Sequence, residues 1–538
     1  MRGDLRGGGW LLVWLGSRTA NLLVVSVLAS AACGQTLAHK GWAGSGITVR
    51  PWWEGAVLYQ IDPVSFQDSK GDGFGDLKGI IQRLDYLQGL GVDAIVLSPF
   101  QLQPDFARAK AAPPFDPKYG TEEDLDQLIL EASQHKIRVF VDLPLSASRT
   151  SQELTNVARF WLSRGIAGLR LTPDAPVGET HATGDRAAAL TPVQVADRLR
   201  DLRRLCASYA GQRVLFWDLP ATMPADASAT SARHARRHTS TVSTTPDGVQ
   251  MVADPRLALM LKLDATDLRQ ALDVEAITSA AATPVLVSDT ANRPRSFDRL
   301  GDGVHDQELA RVLATALLTS RGAPLLNFGQ ELGMATTPAP SPLGIAPVAV
   351  DPTPMQWGTD AGFTSGVPWV DMGRNAETAN VSLEDSDSNS LLNWYRKLSA
   401  LRHANDALRS GTMQLIAETN PDIVAWVRTP PAGGAAPVLV LCNLTDRKLL
   451  VSVSGDLRHA NIQISSGMMH TLLSSALMTS SAALGPTAKE PVTGPVSVNG
   501  IALPPFGVYI GELPHQAGLE SAPSPLRHSP RGAAKTTP

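Results

Sequence analysis

The sequence predicts an α/β fold, a (β/α)8 barrel followed by an all-β sandwich, and three observations carry that prediction. Eight short apolar runs between residues 56 and 329 alternate with amphipathic helical patterns, the signature of βα units wound around a parallel sheet. After about residue 411 the periodicity changes to short alternating strands. At 538 residues, the chain is also longer than one hydrophobic core usually organises.

The eight runs are AVLYQI (56–61), DAIVLSP (93–99), RVFVDLPL (138–145), GLRLTP (168–173), RVLFWDLP (213–220), VQMVAD (249–254), TPVLVSD (283–289) and APLLNFG (323–329). Helical spacing lies between most of them: Leu77, Ile80, Ile81, Leu84, Leu87 and Leu90 recur on one face, and EEDLDQLILEASQHK and DQELARVLATALLTS repeat the pattern. Two polar, Pro-rich stretches, 221–248 and 335–390, interrupt the alternation as long loops. DIVAWVR, APVLVLCNL and GVYIGEL (507–513) read as strands of the second domain. The expected organisation is a linker over 34–50, the barrel over 51–410, the β-sandwich over 411–515 and a disordered tail over 516–538.

The formal net charge of −4 is too small to draw nucleic acid or anionic lipid as a partner. The basic cluster RHARRH (233–238) has no aromatic interleaving and reads as a solvated loop. Cys33, Cys206 and Cys442 are too widely spaced for a metal-ligand pattern, and spacing alone cannot pair them. Arg2, Arg6 and Arg18 precede the apolar run NLLVVSVLASAAC (21–33), which is shorter than the about 20 residues a membrane span needs. It ends in small residues, so residues 1–33 are expected to be an export signal, with Cys33 as a lipid-bearing alternative and an uncleaved anchor from Trp10 as a second. The expected location is therefore outside the cytoplasm: periplasmic, secreted or lipid-anchored.

The stretch WWEGAVLYQIDPVSFQDSKGDGFGDLKGIIQRLDYLQGLGVDAIVLSP (52–99) resembles the first two βα units of glycoside hydrolase family 13, in particular its α-glucosidases and their relatives, the heavy chains of amino-acid transporters. FDPKYGTEEDLDQLILEASQHKIRVFVDL (115–143), FWLSRGIAGLRL (160–171) and DPTPMQWGTDAGFTSGVPW (351–369) extend the resemblance over nearly all of 51–515. It implies a barrel with a C-terminal β domain that acts on or binds α-glucans or oligosaccharides. The family inserts a domain of several tens of residues after the third strand. Here only SASRTSQELT separates that strand from the helix containing VARFWLSRG, so the inserted domain is missing.

Retaining glycosidases need two carboxylates about 5–5.5 Å apart, one attacking the sugar and one protonating the leaving oxygen. The resemblance places the nucleophile at Thr172, the acid at Asp218 and a third carboxylate, within TANRPR (290–295), at Asn292. A neutral hydroxyl cannot stabilise an oxocarbenium-like charge as a carboxylate does. Ala291, Ser146 and Ala147 stand where the family has sugar-binding His and Asn–His residues, and DFARAKAAPP lacks the family's Tyr and Asp. Arg170 and Arg295 match the family's pattern and read equally as substrate-binding groups or as structural ion-pair partners. Asp68, Asp72, Asp76 and the Phe74 carbonyl match a Ca²⁺-binding loop, but Lys70 replaces one ligand, and its ammonium could take the ion's place.

The expected function is accordingly that of a catalytically degenerate relative, binding carbohydrate or serving as a scaffold. One alternative is an active retaining α-glycosidase using displaced acids, Asp174, Asp218 and Asp289. The other is a membrane-associated subunit that binds a protein partner, as the transporter heavy chains do.

Overall fold

The computed structural model describes residues 50–98, 115–145, 150–173, 190–218, 248–273, 282–290, 293–338, 349–350, 353–359, 362–431, 435–476 and 494–514. The expectations for residues 1–49 (export signal and linker), the 233–238 basic cluster and the 516–538 tail lie outside these residues. Among the described residues no helix is long and apolar enough to cross a membrane.

The eight runs form a closed parallel barrel in chain order: β1 (Leu58–Ile61), β2 (Ala94–Leu97), β3 (Arg138–Leu145), β4 (Gly168–Pro173), β5 (Val214–Trp217), β6 (Met251–Asp254), β7 (Thr283–Val287) and β8 (Ala323–Asn327), with β8 pairing back onto β1. Side chains alternate across a strand, and the alternation divides the core in two. Leu58, Val96, Phe140, Phe216, Met251 and Leu325 belong to the cluster that fills the barrel's interior. Tyr59, Leu97, Val141, Leu171 and Trp217 join the cluster that packs the outer face against the helices. Every strand is thus buried on both faces, which is why the runs read as nearly continuous apolar stretches.

Gly168 opens β4 for a steric reason: a Cβ there would lie 2.2 Å from the Phe140 ring and 2.7 Å from the Val214 carbonyl. The missing side chain makes room for Phe140, which packs against Trp52 at a ring separation of 5.9 Å and closes the interior near the strand starts. The helices begin at side-chain caps. Thr121, Thr150 and Thr191 each accept from a backbone N–H three residues on, and Asp124, Glu153 and Gln194 reach back to complete capping boxes. The helix after β3 starts at Ser151, so the connection from β3 is residues 146–150, shorter than the sequence reading because SQELT already forms the first helical turns.

The second domain is a six-stranded antiparallel sheet built from β9 (Thr412–Ile416), β10 (Ile423–Thr429), β11 (Val438–Asn443), β13 (Met468–Ser474), β14 (Val496–Ser497) and β16 (Val508–Glu512). A two-stranded ribbon of β12 (Leu449–Val451) and β15 (Ile501–Leu503) faces it. Ile423, Ala425 and Val427 point into the core shared with the ribbon, whereas Val424 and Trp426 join the barrel's outer core. Two buried arginines satisfy backbone carbonyls here: Arg402 stays within the barrel, and Arg428 crosses from the β domain to the barrel. Arg402 donates to Gly55 (2.9 Å), Leu318 (2.8 Å), Ser320 and Gly322, and Arg428 donates to Thr319 (2.6 Å) and Gly411 (2.9 Å). Cys206 and Cys442 are both buried free thiols, not a disulfide.

Gly168→Ala should destabilise the barrel by about 1–3 kcal/mol, the usual cost of overpacking, in urea unfolding followed by tryptophan fluorescence. An unchanged midpoint would contradict the packing at the Phe140 ring.

Candidate active site

Barrels carry their chemistry at the C-terminal ends of the strands. The interior alternation continues there with polar residues: Gln60 on β1, Ser98 just past β2, Asp142 on β3, Arg170 and Thr172 on β4, and Asp218 just past β5 share the parity of the inward-facing apolar residues. Register places them together. Asp142 pairs with Arg170 and Pro144 with Thr172 across β3 and β4, and the Asp218 amide donates to the Leu171 carbonyl at 3.0 Å.

Arg170 is the hub of this layer. Its Nε donates to Asp142 Oδ1 at 2.6 Å, and Nη2 donates to Asp142 Oδ2 at 2.8 Å, a bidentate pair. Nη2 also donates to the Ser98 hydroxyl (2.6 Å) and Nη1 to the Gln60 amide oxygen (2.8 Å). A buried guanidinium is tolerated only when its donors are satisfied and its charge is compensated, and four strands supply this one. Burial opposes its charge, but the attraction of Asp142 and then Asp218 outweighs that and raises its pKa. Of the two roles left open for Arg170, this is the ion-pair one.

Asp218 lies 3.8 Å from Arg170 Nε and keeps part of its carboxyl exposed. Burial pushes its pKa up to about 6, partly offset by Arg170 and reinforced by the negative charge of Asp142. Thr172 is half-buried at the end of β4, on the strand flanked by β3 and β5. The described part of the mouth therefore combines a titratable acid, an internally neutralised ion pair and a hydroxyl.

The other candidates are placed differently. Asp289 has the inward parity, yet both its oxygens are used: Oδ1 accepts from the Ser296 amide, and Oδ2 accepts from the Ser296 hydroxyl at 2.8 Å. It holds the first turn of the helix Ser296–Leu300. Arg295 is buried beside that turn, donates to the Phe328 carbonyl (2.7 Å) and lies over the Phe328 ring. Asn292, Ala291, Asp174, Ser146, Ala147 and the stretch 105–114 lie outside the described residues.

Sequence reasoning missed Gln60, Ser98 and Asp142. The signal for Asp142 was available: it is the single acid inside the apolar run RVFVDLPL, at the position that pairs with Arg170. Gln60 and Ser98 carry no such mark, because a neutral polar residue at a strand end is ordinary.

The loop 68–76 does not fit a calcium ion. Asp68 accepts from the amides of Lys70 (2.8 Å), Gly71 (2.9 Å) and Gly73 (2.8 Å) and from the Thr364 hydroxyl (2.6 Å), which occupies both oxygens with donors. Asp76 caps the next helix through the Gly79 amide, and the Lys70 ammonium stands 3.7 Å from its other oxygen while donating to the Lys118 carbonyl at 3.0 Å. Asp72 accepts from the Phe74 amide and is exposed. Oxygens already engaged by N–H groups, with a fixed cation beside them, leave no hard-cation cage.

A family model described as the alpha amylase catalytic domain matches residues 60–145 and 142–411. The chain belongs to the alpha-amylase family. Among its relatives are an oligo-1,6-glucosidase of Bacillus cereus, 24% identical over 77% of this chain and 95% of its own length, and a trehalose-6-phosphate hydrolase of Escherichia coli (strain K12), 27% identical over 73% and 91%. A probable alpha-glucosidase of Rhizobium meliloti (strain 1021) is 28% identical over 74% and 90%. Among solved structures, a trehalose-6-phosphate hydrolase of Bacillus licheniformis superposes with a TM-score of 0.64 at 22% identity, over 87% of this chain and all of the other. A trehalulose synthase variant gives 0.63 at 22% identity, over 86% of this chain. At these identities the structural likeness shows the alpha-amylase fold.

Two outcomes test this site. Asp218 binds its proton more tightly folded than unfolded, because its folded pKa is about 6 against a reference of 3.8. Its contribution to stability is thus full below about 3.8 and is lost as pH rises through about 6. Asp218→Asn should flatten that part of the stability-versus-pH curve, measured by urea unfolding from pH 4 to 8; an unchanged curve would refute the shift. Chelation with EDTA should leave the melting temperature unchanged; a drop reversed by Ca²⁺ would show that the loop does hold the ion.

Proposed function

We propose that this alpha-amylase family member binds α-glucosidic oligosaccharides at the C-terminal mouth of its barrel, as a protein of carbohydrate metabolism with little or no retaining hydrolysis. The observation that carries this reading is Thr172 at the inward-facing end of β4, beside the Asp218 strand. Double displacement needs an ionised oxygen there, to attack the anomeric carbon and to offset its developing positive charge. An alcohol stays protonated at neutral pH. The other carboxylate of the layer, Asp142, is bound on both oxygens by Arg170 and cannot approach a sugar. The transporter heavy chains that the sequence resembles have the same combination of a missing inserted domain and missing carboxylates, which supports the reading.

One observation favours an active hydrolase instead. A carboxyl with a pKa of about 6 is half protonated in the range where general acids work, so Asp218 is suited to protonate a leaving oxygen. The activities named for its relatives, an oligo-1,6-glucosidase and a probable alpha-glucosidase among them, lie on the same side. This second reading needs a nucleophile from outside the described residues, such as Asp174.

The deciding assay compares the purified protein with Thr172→Asp, Thr172→Asp/Asn292→Asp and Asp218→Asn on p-nitrophenyl α-glucoside and maltooligosaccharides. The proposal expects unmodified turnover on the order of 10³-fold or more below that of the double variant. It also expects maltose binding, by calorimetry, in the unmodified protein. Robust unmodified turnover that Asp218→Asn abolishes would establish the hydrolase reading instead.

A further inference from the structure

The loops after β1 and β8 both rise on the C-terminal side of the barrel, the side of Thr172 and Asp218. They are tied into one rigid element. Asp68 accepts from the Thr364 hydroxyl at 2.6 Å, the Asp68 amide donates to the Phe363 carbonyl at 2.9 Å, and the Trp369 amide donates to the Gly73 carbonyl at 3.0 Å. Gly73, with φ of +90°, comes so close to the second loop that a Cβ would lie 2.2 Å from the Val367 carbonyl. The Trp369 indole N–H is also anchored, to the Ser65 hydroxyl at 3.2 Å.

This element presents aromatic surface to solvent. Phe74 is 41% exposed and stacks on the half-buried Trp369 with ring centroids 6.5 Å apart and planes 18° from parallel, and Val367 beside them is 85% exposed. Exposed acids flank the rings in sequence, Asp72 two residues before Phe74 and Asp371 two after Trp369.

We infer that the Phe74–Trp369 pair is a ledge for a carbohydrate chain, holding sugar units of an α-glucan outside the barrel centre. A pyranose ring offers a C–H face that packs on an aromatic ring, here Phe74, and an equator of hydroxyls that donate to carboxylates, which the exposed Asp72 and Asp371 supply close by in sequence. The acids disfavour nucleic acid and anionic lipid. Because the Trp369 ring under Phe74 is anchored before ligand arrives, less ordering entropy opposes binding. The inference rests on the carbohydrate reading above and adds a second contact region to it.

Isothermal calorimetry of the full chain with maltose and maltoheptaose tests it, using Phe74→Ala and Phe74→Leu, the latter keeping apolar bulk without a ring. Unmodified protein should bind maltoheptaose more tightly than maltose. Both variants should lose about five- to tenfold in maltoheptaose affinity while keeping maltose affinity and the unmodified melting temperature. Variants that bind maltoheptaose like the unmodified protein would overturn the ledge and leave the central site standing, as would equal affinities for the two sugars. Binding of neither sugar would overturn both. A dimer in sedimentation that Phe74→Ala dissolves would also overturn the ledge, by assigning this surface to a second copy.

Discussion

The buried ion pair between Arg170 and Asp142 sets the character of the barrel mouth. It joins β3 to β4 through two parallel hydrogen bonds, and the remaining donors of the guanidinium reach β1 and the end of β2. Removing Asp142 would strip the buried cation of its bidentate partner and leave only Asp218, 3.8 Å away, to offset its charge, a costly way to break a buried pair. The pair also sets the electrostatics around it. Asp142 spends its charge on Arg170, so it is unavailable for chemistry, and Arg170 limits how far burial can raise the proton affinity of Asp218.

On the proposed reading, that arrangement keeps this layer polar without supplying a nucleophile. A carboxylate nucleophile must be ionised, oriented and free, and the layer satisfies these conditions separately: Asp142 is oriented but bound, Asp218 is partly free but near-neutral at mildly acidic pH, and Thr172 is oriented but uncharged. Asp289 illustrates the same division from β7, where a carboxylate at the mouth holds a helix turn through Ser296. Family membership supplies the architecture for glycoside chemistry, and the residues at the strand ends decide how much of it this chain retains.

The barrel was legible in sequence because its strands are apolar on both faces and its helices are amphipathic, two patterns with different periods; β3 and β4 were bounded to the residue. The run at β5 was read four residues too long and that at β7 two, mostly at the C-terminal end, where Asp218, Ser288 and Asp289 continue the pattern after the ladder has ended. Thr172 and Asp218 could be located from the motif around them. The role of Asp289 could not, because its partner Ser296 is set by a helix turn and not by strand periodicity. The absence of a calcium cage was half-visible in Lys70, but the decisive donors to Asp68 are backbone amides, which every sequence has and only a fold can aim.

The proposal that most needs testing is that this chain carries out little or no retaining hydrolysis. Mass spectrometry after incubation with 5-fluoro-α-glucosyl fluoride tests it most directly, since retaining chemistry with this slow substrate accumulates a covalent glycosyl-protein. The unmodified chain should carry no adduct, and Thr172→Asp should introduce an ester at position 172. A stoichiometric adduct on the unmodified chain, mapped to Asp174 or any other acid, would contradict it.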